Sequence, residues 1–198
     1  MAKNHPAAAP AAIAKLIAVF VDDGEHAQHQ AIAILRTLGT PAFEQLLITA
    51  KSPKPSIRRW AVEAIGGFSD RRAFPALRSA AADTHTSVRH HAIHGLRVRR
   101  HPRSAEVLIP LLRDEGGGVR VNAVMALVDL GARSAGPALL AAAGDGKWYV
   151  RQHVAHALGV LRVAGARPVL RRLVADPRKA VRDAAQESLA LLGDGRQR

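Results

Sequence analysis

Val119, Ala123, Leu127 and Leu130 fall at i, i+4, i+8 and i+11, a spacing that puts four apolar side chains on one face of an α-helix. A Val/Ile-Arg pair opens the same pattern at Ile57-Arg58, Val88-Arg89, Val119-Arg120, Val150-Arg151 and Val181-Arg182, always 31 residues apart. Leu46, Leu77, Leu108, Leu139 and Leu170 keep that interval, as do Ser52, Asp83, Asp114, Asp145 and Asp176. Three columns at one period define a repeat. A further column, Ala64, Gly95, Ala126, Ala157 and Ser188, is uniformly small, as close helix packing requires. The Ser or Asp is of a type that caps helix starts and is expected to do so here, with an outer helix around the Leu46 column ahead of it. Each unit therefore predicts a helical hairpin, and no run of sustained alternation predicts a strand.

The hairpins extend to both ends. Leu16, Ala27, Ala31, Leu35 and Leu38-Gly39 form a degenerate first unit whose register is shifted by one residue. Residues 1–10 read as a disordered leader, Ala11 to Val21 as a helix, 11–194 as one repeat domain and 195–198 as a tail. The "EGGG" at Glu115 to Gly118 reads as a turn between helices.

The pattern D-x4-VR-x2-A-x3-L, ending in LGD as in "VRDAAQESLALLGD", resembles the HEAT-like repeats of the bilin-lyase type over Ala42 to Asp194. That resemblance implies an all-α, right-handed α-solenoid of about six HEAT-like hairpins, the second helix of each lining a concave side. It leaves activity open, because proteins of this type include bilin lyases, di-iron hydroxylases, adaptor scaffolds and, more distantly, alkylpurine DNA glycosylases. The di-iron hydroxylases carry His-Glu pairs directly after the Val-Arg. This chain has Arg59-Trp60, His90-His91, Val121-Asn122, Gln152-His153 and Asp183-Ala184 there, which removes the carboxylates of that chemistry.

Composition narrows the partner more than the chemistry. Twenty-nine Lys and Arg against sixteen Asp and Glu give a net charge of +13, which favours anionic partners. There is no cysteine, so disulfides and thiolate metal sites are excluded, and a cytoplasmic location is the default expectation. No segment reaches the length of an apolar membrane span.

Two sets of side chains are candidates for binding. Trp60, His91, Asn122, His153 and Ala184 form one column on the second helices, and Glu63, His94, Met125, His156 and Glu187 another; both are expected on the concave surface. The turns after those helices carry Arg71, Arg72, Arg97, Arg99, Arg100, Arg103, Arg133, Arg162 and Arg167. Arg99 stands where other units have Leu or Phe, and Arg100 where Gly39, Gly131 and Gly193 stand. Such departures mark function, yet cations near a helix C-terminus are also favoured by its dipole. Arg58, Arg89, Arg120, Arg151 and Arg182, in step with the Asp column, are expected to be structural.

His90 and His94 share a helix face at i and i+4, but no metal site or cofactor is expected, since exposed helical histidines are ordinarily solvated. A reactive site would have to be built on Trp60 and Glu63 with Asp129 and Trp148-Tyr149. The expected function is a non-catalytic HEAT-repeat scaffold engaging an acidic protein surface through Trp60, Glu63, His91, His94, Asn122, His153 and His156 and through Arg97, Arg99, Arg100 and Arg103. A nucleic-acid-binding repeat protein is the alternative, and a HEAT-like DNA glycosylase stands behind both.

Overall fold

A computed structural model describes residues 10–21 and 24–193. Among these residues it contains twelve α-helices and two 3-10 segments, and no strand. Two compact units divide at His101 and Pro102. The first holds α1 (Pro10–Ala18), α2 (Glu25–Thr37), α3 (Thr40–Thr49), α4 (Pro55–Gly66), α5 (Ala73–Ala80) and α6 (Thr86–Arg99). The second holds α7 (Ser104–Leu108), α8 (Gly117–Asp129), α9 (Gly136–Ala142), α10 (Trp148–Val160), α11 (Ala166–Leu173) and α12 (Lys179–Leu191). The 3-10 segments Pro110–Arg113 and Arg133–Ala135 complete the outer layer around α7 and α9. Each unit is three outer-inner hairpins, the repeat plan of an α-solenoid.

The inner helices α4, α6, α8, α10 and α12 begin at Pro55, Thr86, Gly117, Trp148 and Lys179, at the 31-residue interval of the sequence columns. Helix α2 begins at Glu25, one residue out of step, as the degenerate first unit implied. The Leu46 column is fully buried throughout, each leucine of an outer helix lying against its inner partner. Burying one such side chain contributes about 2 kcal/mol.

Small residues set the closest approaches. A Cβ added to Gly66 of α4 would lie 3.0 Å from Gly95 Cα of α6, and one on Gly159 of α10 would lie 2.7 Å from Ser188 Cα of α12. Gly66 and Gly159 are the same repeat position, as are Gly95 and Ser188, so one crossing geometry is used in both units.

Three expectations are corrected. The aspartates are not N-caps: those positions are His85, Gly116, Lys147 and Arg178, two residues further on. Instead Oδ1 of Asp83, Asp114, Asp145 and Asp176 accepts the N–H two residues ahead, at 2.8–2.9 Å, folding the loop that leads into the helix. The first helix stops at Ala18 rather than Val21, and Phe20 is buried in the turn beyond it. The glycine run is only half a turn, since Gly117 and Gly118 open α8, where the Tyr149 hydroxyl occupies the space of a Gly117 side chain. The leader expected at 1–10 lies outside the described residues except for Pro10, which opens α1, and the tail 195–198 lies outside them too.

Candidate partner-binding surfaces

The Val-Arg arginines are structural. Arg120 Nε and Nη2 donate to Asp145 Oδ2 and Oδ1 at 2.7 and 2.9 Å, while Nη1 donates to the Asp114 carbonyl at 2.7 Å. One guanidinium therefore joins its own loop to the next. Arg58 repeats this with Asp83 and the Ser52 and Pro53 carbonyls, and Arg151 with Asp176 and the Asp145 carbonyl. Arg89 and Arg182 hold the carbonyls of their own loops in the same way. The planar fork suits this double task, which an ammonium could not perform.

These pairs perturb the carboxyls. Asp176 is held below its ordinary range by hydrogen bonds from Arg151, against the effect of burial, with the Arg178 amide assisting. For Asp145 burial acts upward, but the Arg120 hydrogen bonds, the Lys147 amide and the charges of Arg120 and Arg151 outweigh it, so its pKa is also lowered.

In the first unit the predicted concave residues form a packed cluster. Trp60, expected as a surface contact, is 3% exposed. His29 of α2 meets its ring edge-on at 5.2 Å and His91 of α6 at 5.6 Å, with the Arg59 guanidinium 4.6 Å from the ring centre. Trp60 thus sits where α2, α4 and α6 meet, which corrects its own assignment to the open face. In the same column His91, Asn122 and His153 are half-buried and Ala184 is buried. The Glu63 column is the more open one: His94, Met125, His156 and Glu187 are exposed, and half-buried Glu63 lies 3.6 Å from His94. Burial pushes His91 below the usual histidine range; Glu63 opposes this, while Arg59, His94 and His90 add to it. The sequence reading missed His29, because the shifted register of the first unit hides its position beside Trp60.

The second unit places His153 and His156 in a cleft of ≈ 350 Å³. Val124, Met125, Val128 and Asp129 of α8, Gln152 of α10, and Ala184 and Glu187 of α12 complete its lining, with no lysine or arginine. His153 Nδ1 lies 2.7 Å from the Tyr149 carbonyl; donating to it leaves Nε2 as an acceptor. Asp129 thus joins the histidines of its own unit. Trp148, exposed, meets Tyr149 edge-on at the start of α10. Among the described residues no three His, Asp or Glu side chains gather as a metal ion would require.

The turn arginines divide. Half-buried Arg99 donates to the carbonyls of Phe68 and Asp70, beyond the end of α4, and Arg167 donates to those of Leu192 and Gly193, beyond α12. Arg99, predicted as a contact, is thus an inter-repeat tie. Exposed Arg72 pairs with Asp70, whose carboxyl falls to about 2 through that side chain and its amide. Arg103 pairs with Glu106 at 3.0 Å on the surface, and Arg97 is half-buried. Arg100, Arg133 and Arg162 are exposed, and their side chains carry no hydrogen bond or ion pair among the described residues.

Comparison with known proteins fixes the class. The HEAT repeats family matches residues 43–120 and 105–190, and the chain belongs to it. No curated protein matches. Among solved structures, YibA of Escherichia coli is similar at 19% identity over 89% of this chain and 69% of that one, with a TM-score of 0.73. The complex of CpcE and CpcF of phycocyanin lyase from Nostoc sp. PCC7120 is similar at 22% identity, over 98% and 80%, with a TM-score of 0.57. A designed armadillo repeat protein in complex with peptide (KR)4 is similar at 15% identity, over 91% and 99%, with a TM-score of 0.57. These likenesses show a shared fold. Among the described residues no helix is long and apolar enough to cross a membrane.

Proposed function

We propose that this HEAT-repeat chain is a non-catalytic scaffold whose turn arginines hold an acidic segment of a partner protein. The observation that carries the reading is the division among the arginines: the loop and tie arginines are bonded within the fold, whereas Arg100, Arg133 and Arg162 stand exposed without a carboxylate. A designed armadillo repeat protein similar to this chain was solved with the cationic peptide (KR)4. A net charge of +13 favours the opposite sign of peptide here.

A protein segment is favoured over nucleic acid because Trp60 is buried, so it offers no platform for base stacking. His94 and His156 remain available as flanking contacts. The test is fluorescence anisotropy with a labelled glutamate-rich peptide and a short DNA duplex, each at two salt concentrations. Charge reversal of Arg97, Arg100 and Arg103 to Glu is expected to weaken the peptide at least tenfold and flatten its salt dependence while helical circular dichroism is retained. A duplex bound more tightly than the peptide would replace this reading with the nucleic-acid one.

A further inference from the structure

Four inner helices end on one repeat position, and the backbone there is left-handed each time: Arg100, Gly131, Arg162 and Gly193, with φ of 48°, 63°, 49° and 72°. Within the second unit the endings of α8 and α10 match bond for bond. Gly131 N–H donates to the Val128 carbonyl and Ala132 N–H to that of Leu127, both at 2.9 Å; Arg162 N–H donates to Gly159 and Val163 N–H to Leu158, at 3.0 and 3.1 Å. Glycine fits this ending without strain, whereas a side chain brings its Cβ against the following carbonyl. Among the described residues Arg100 and Arg162 are the only non-glycine residues with positive φ.

Among the described residues no side-chain bond of either arginine recovers that strain. Neither arginine's side chain has an ion pair or hydrogen bond among the described residues. The helix dipole does not account for them either. The last turn of α6 already carries Arg97 and Arg99, and that of α10 exposes Val160, where a cation would sit without strain. The turns themselves are anchored: Leu161 and Val163 are buried on either side of Arg162, and His101 stacks on Phe74 at 3.7 Å beside Arg100.

We propose that Arg100 in the first unit and Arg162 in the second are each the principal anion contact of their own unit, a guanidinium held outward on an anchored left-handed turn to take a carboxylate of an acidic polypeptide. This rests on the acidic-partner reading and adds which side chains carry it, with backbone stability given up at these two positions for binding.

The test combines thermal melts with titration of a labelled glutamate-rich peptide against wild type, Arg100→Gly, Arg162→Gly and Arg162→Gln. Each glycine variant is expected to raise Tm by about 2–4 °C and weaken the peptide about threefold to tenfold. Arg162→Gln keeps the strained backbone, so it is expected to weaken binding without that gain in Tm. Glycine variants that bind like wild type, or that melt lower, overturn the inference. If wild type binds and only the Arg97, Arg100 and Arg103 reversal weakens it, the acidic-partner reading stands without this assignment; if wild type itself does not bind, that reading falls first.

Discussion

Arg120 reaches two ways at once, to the carboxylate of Asp145 in the next loop and to the Asp114 carbonyl of its own, so its removal strands a largely buried carboxylate as well as a loop. Arg120→Ala is expected to destabilise the protein by about 3 kcal/mol. Arg120→Lys should recover little of this because one ammonium cannot serve the Asp145 carboxylate and the Asp114 and Glu115 carbonyls from separate nitrogens as the guanidinium does. Urea denaturation measures both. The carboxyls give a pH dependence of definite sign: their folded pKa values are lowered, so the stability they contribute is present above about pH 4 and is lost as pH falls through the folded values. His91 acts in a different window. Its folded pKa is lowered, and the unfolded histidine takes up a proton near pH 6.5, so its contribution is whole above about pH 6.5 and declines below it. Melts between pH 8 and 5 should show this decline, and His91→Asn should flatten it. The pairing of the Arg and Asp columns was legible because both keep one period. The loop-folding role of Asp was not, because an aspartate two residues before the N-cap looks the same in sequence as an N-cap.

Helix-level packing follows from small residues at repeated positions. Gly159→Ala would push a Cβ to 2.7 Å from the Ser188 backbone, which cannot swing aside, so α10 and α12 must separate. The expected loss is about 1–3 kcal/mol, read as a lower melting temperature with helix content retained. The sequence showed the hairpins, their count and the shifted first unit, because helical spacing and period are properties of order along the chain. It did not show that Trp60 is covered. Burial of that ring depends on His29 of α2 and His91 of α6 closing on it from either side, and the shifted register broke the column that would have brought His29 beside it. Arg99 was legible as an exception to its column, but its bonds to the Phe68 and Asp70 carbonyls depend on how α6 lies against the end of α4.

Across the whole molecule a net charge of +13 sits on lysines and arginines, and among the arginines some are bonded within the fold while others, Arg100, Arg133 and Arg162 among them, are left exposed at the turns. On the proposed reading the partner is met by turn arginines that follow the inner helices rather than by the histidine columns of those helices. Hydrogen–deuterium exchange with and without a saturating glutamate-rich peptide locates the contact directly. The account predicts slowed exchange in the turns around Arg100, Arg133 and Arg162, with the backbone around His153 and His156 unchanged. Protection confined to that histidine cleft, with the three turns exchanging as in the free protein, would contradict it.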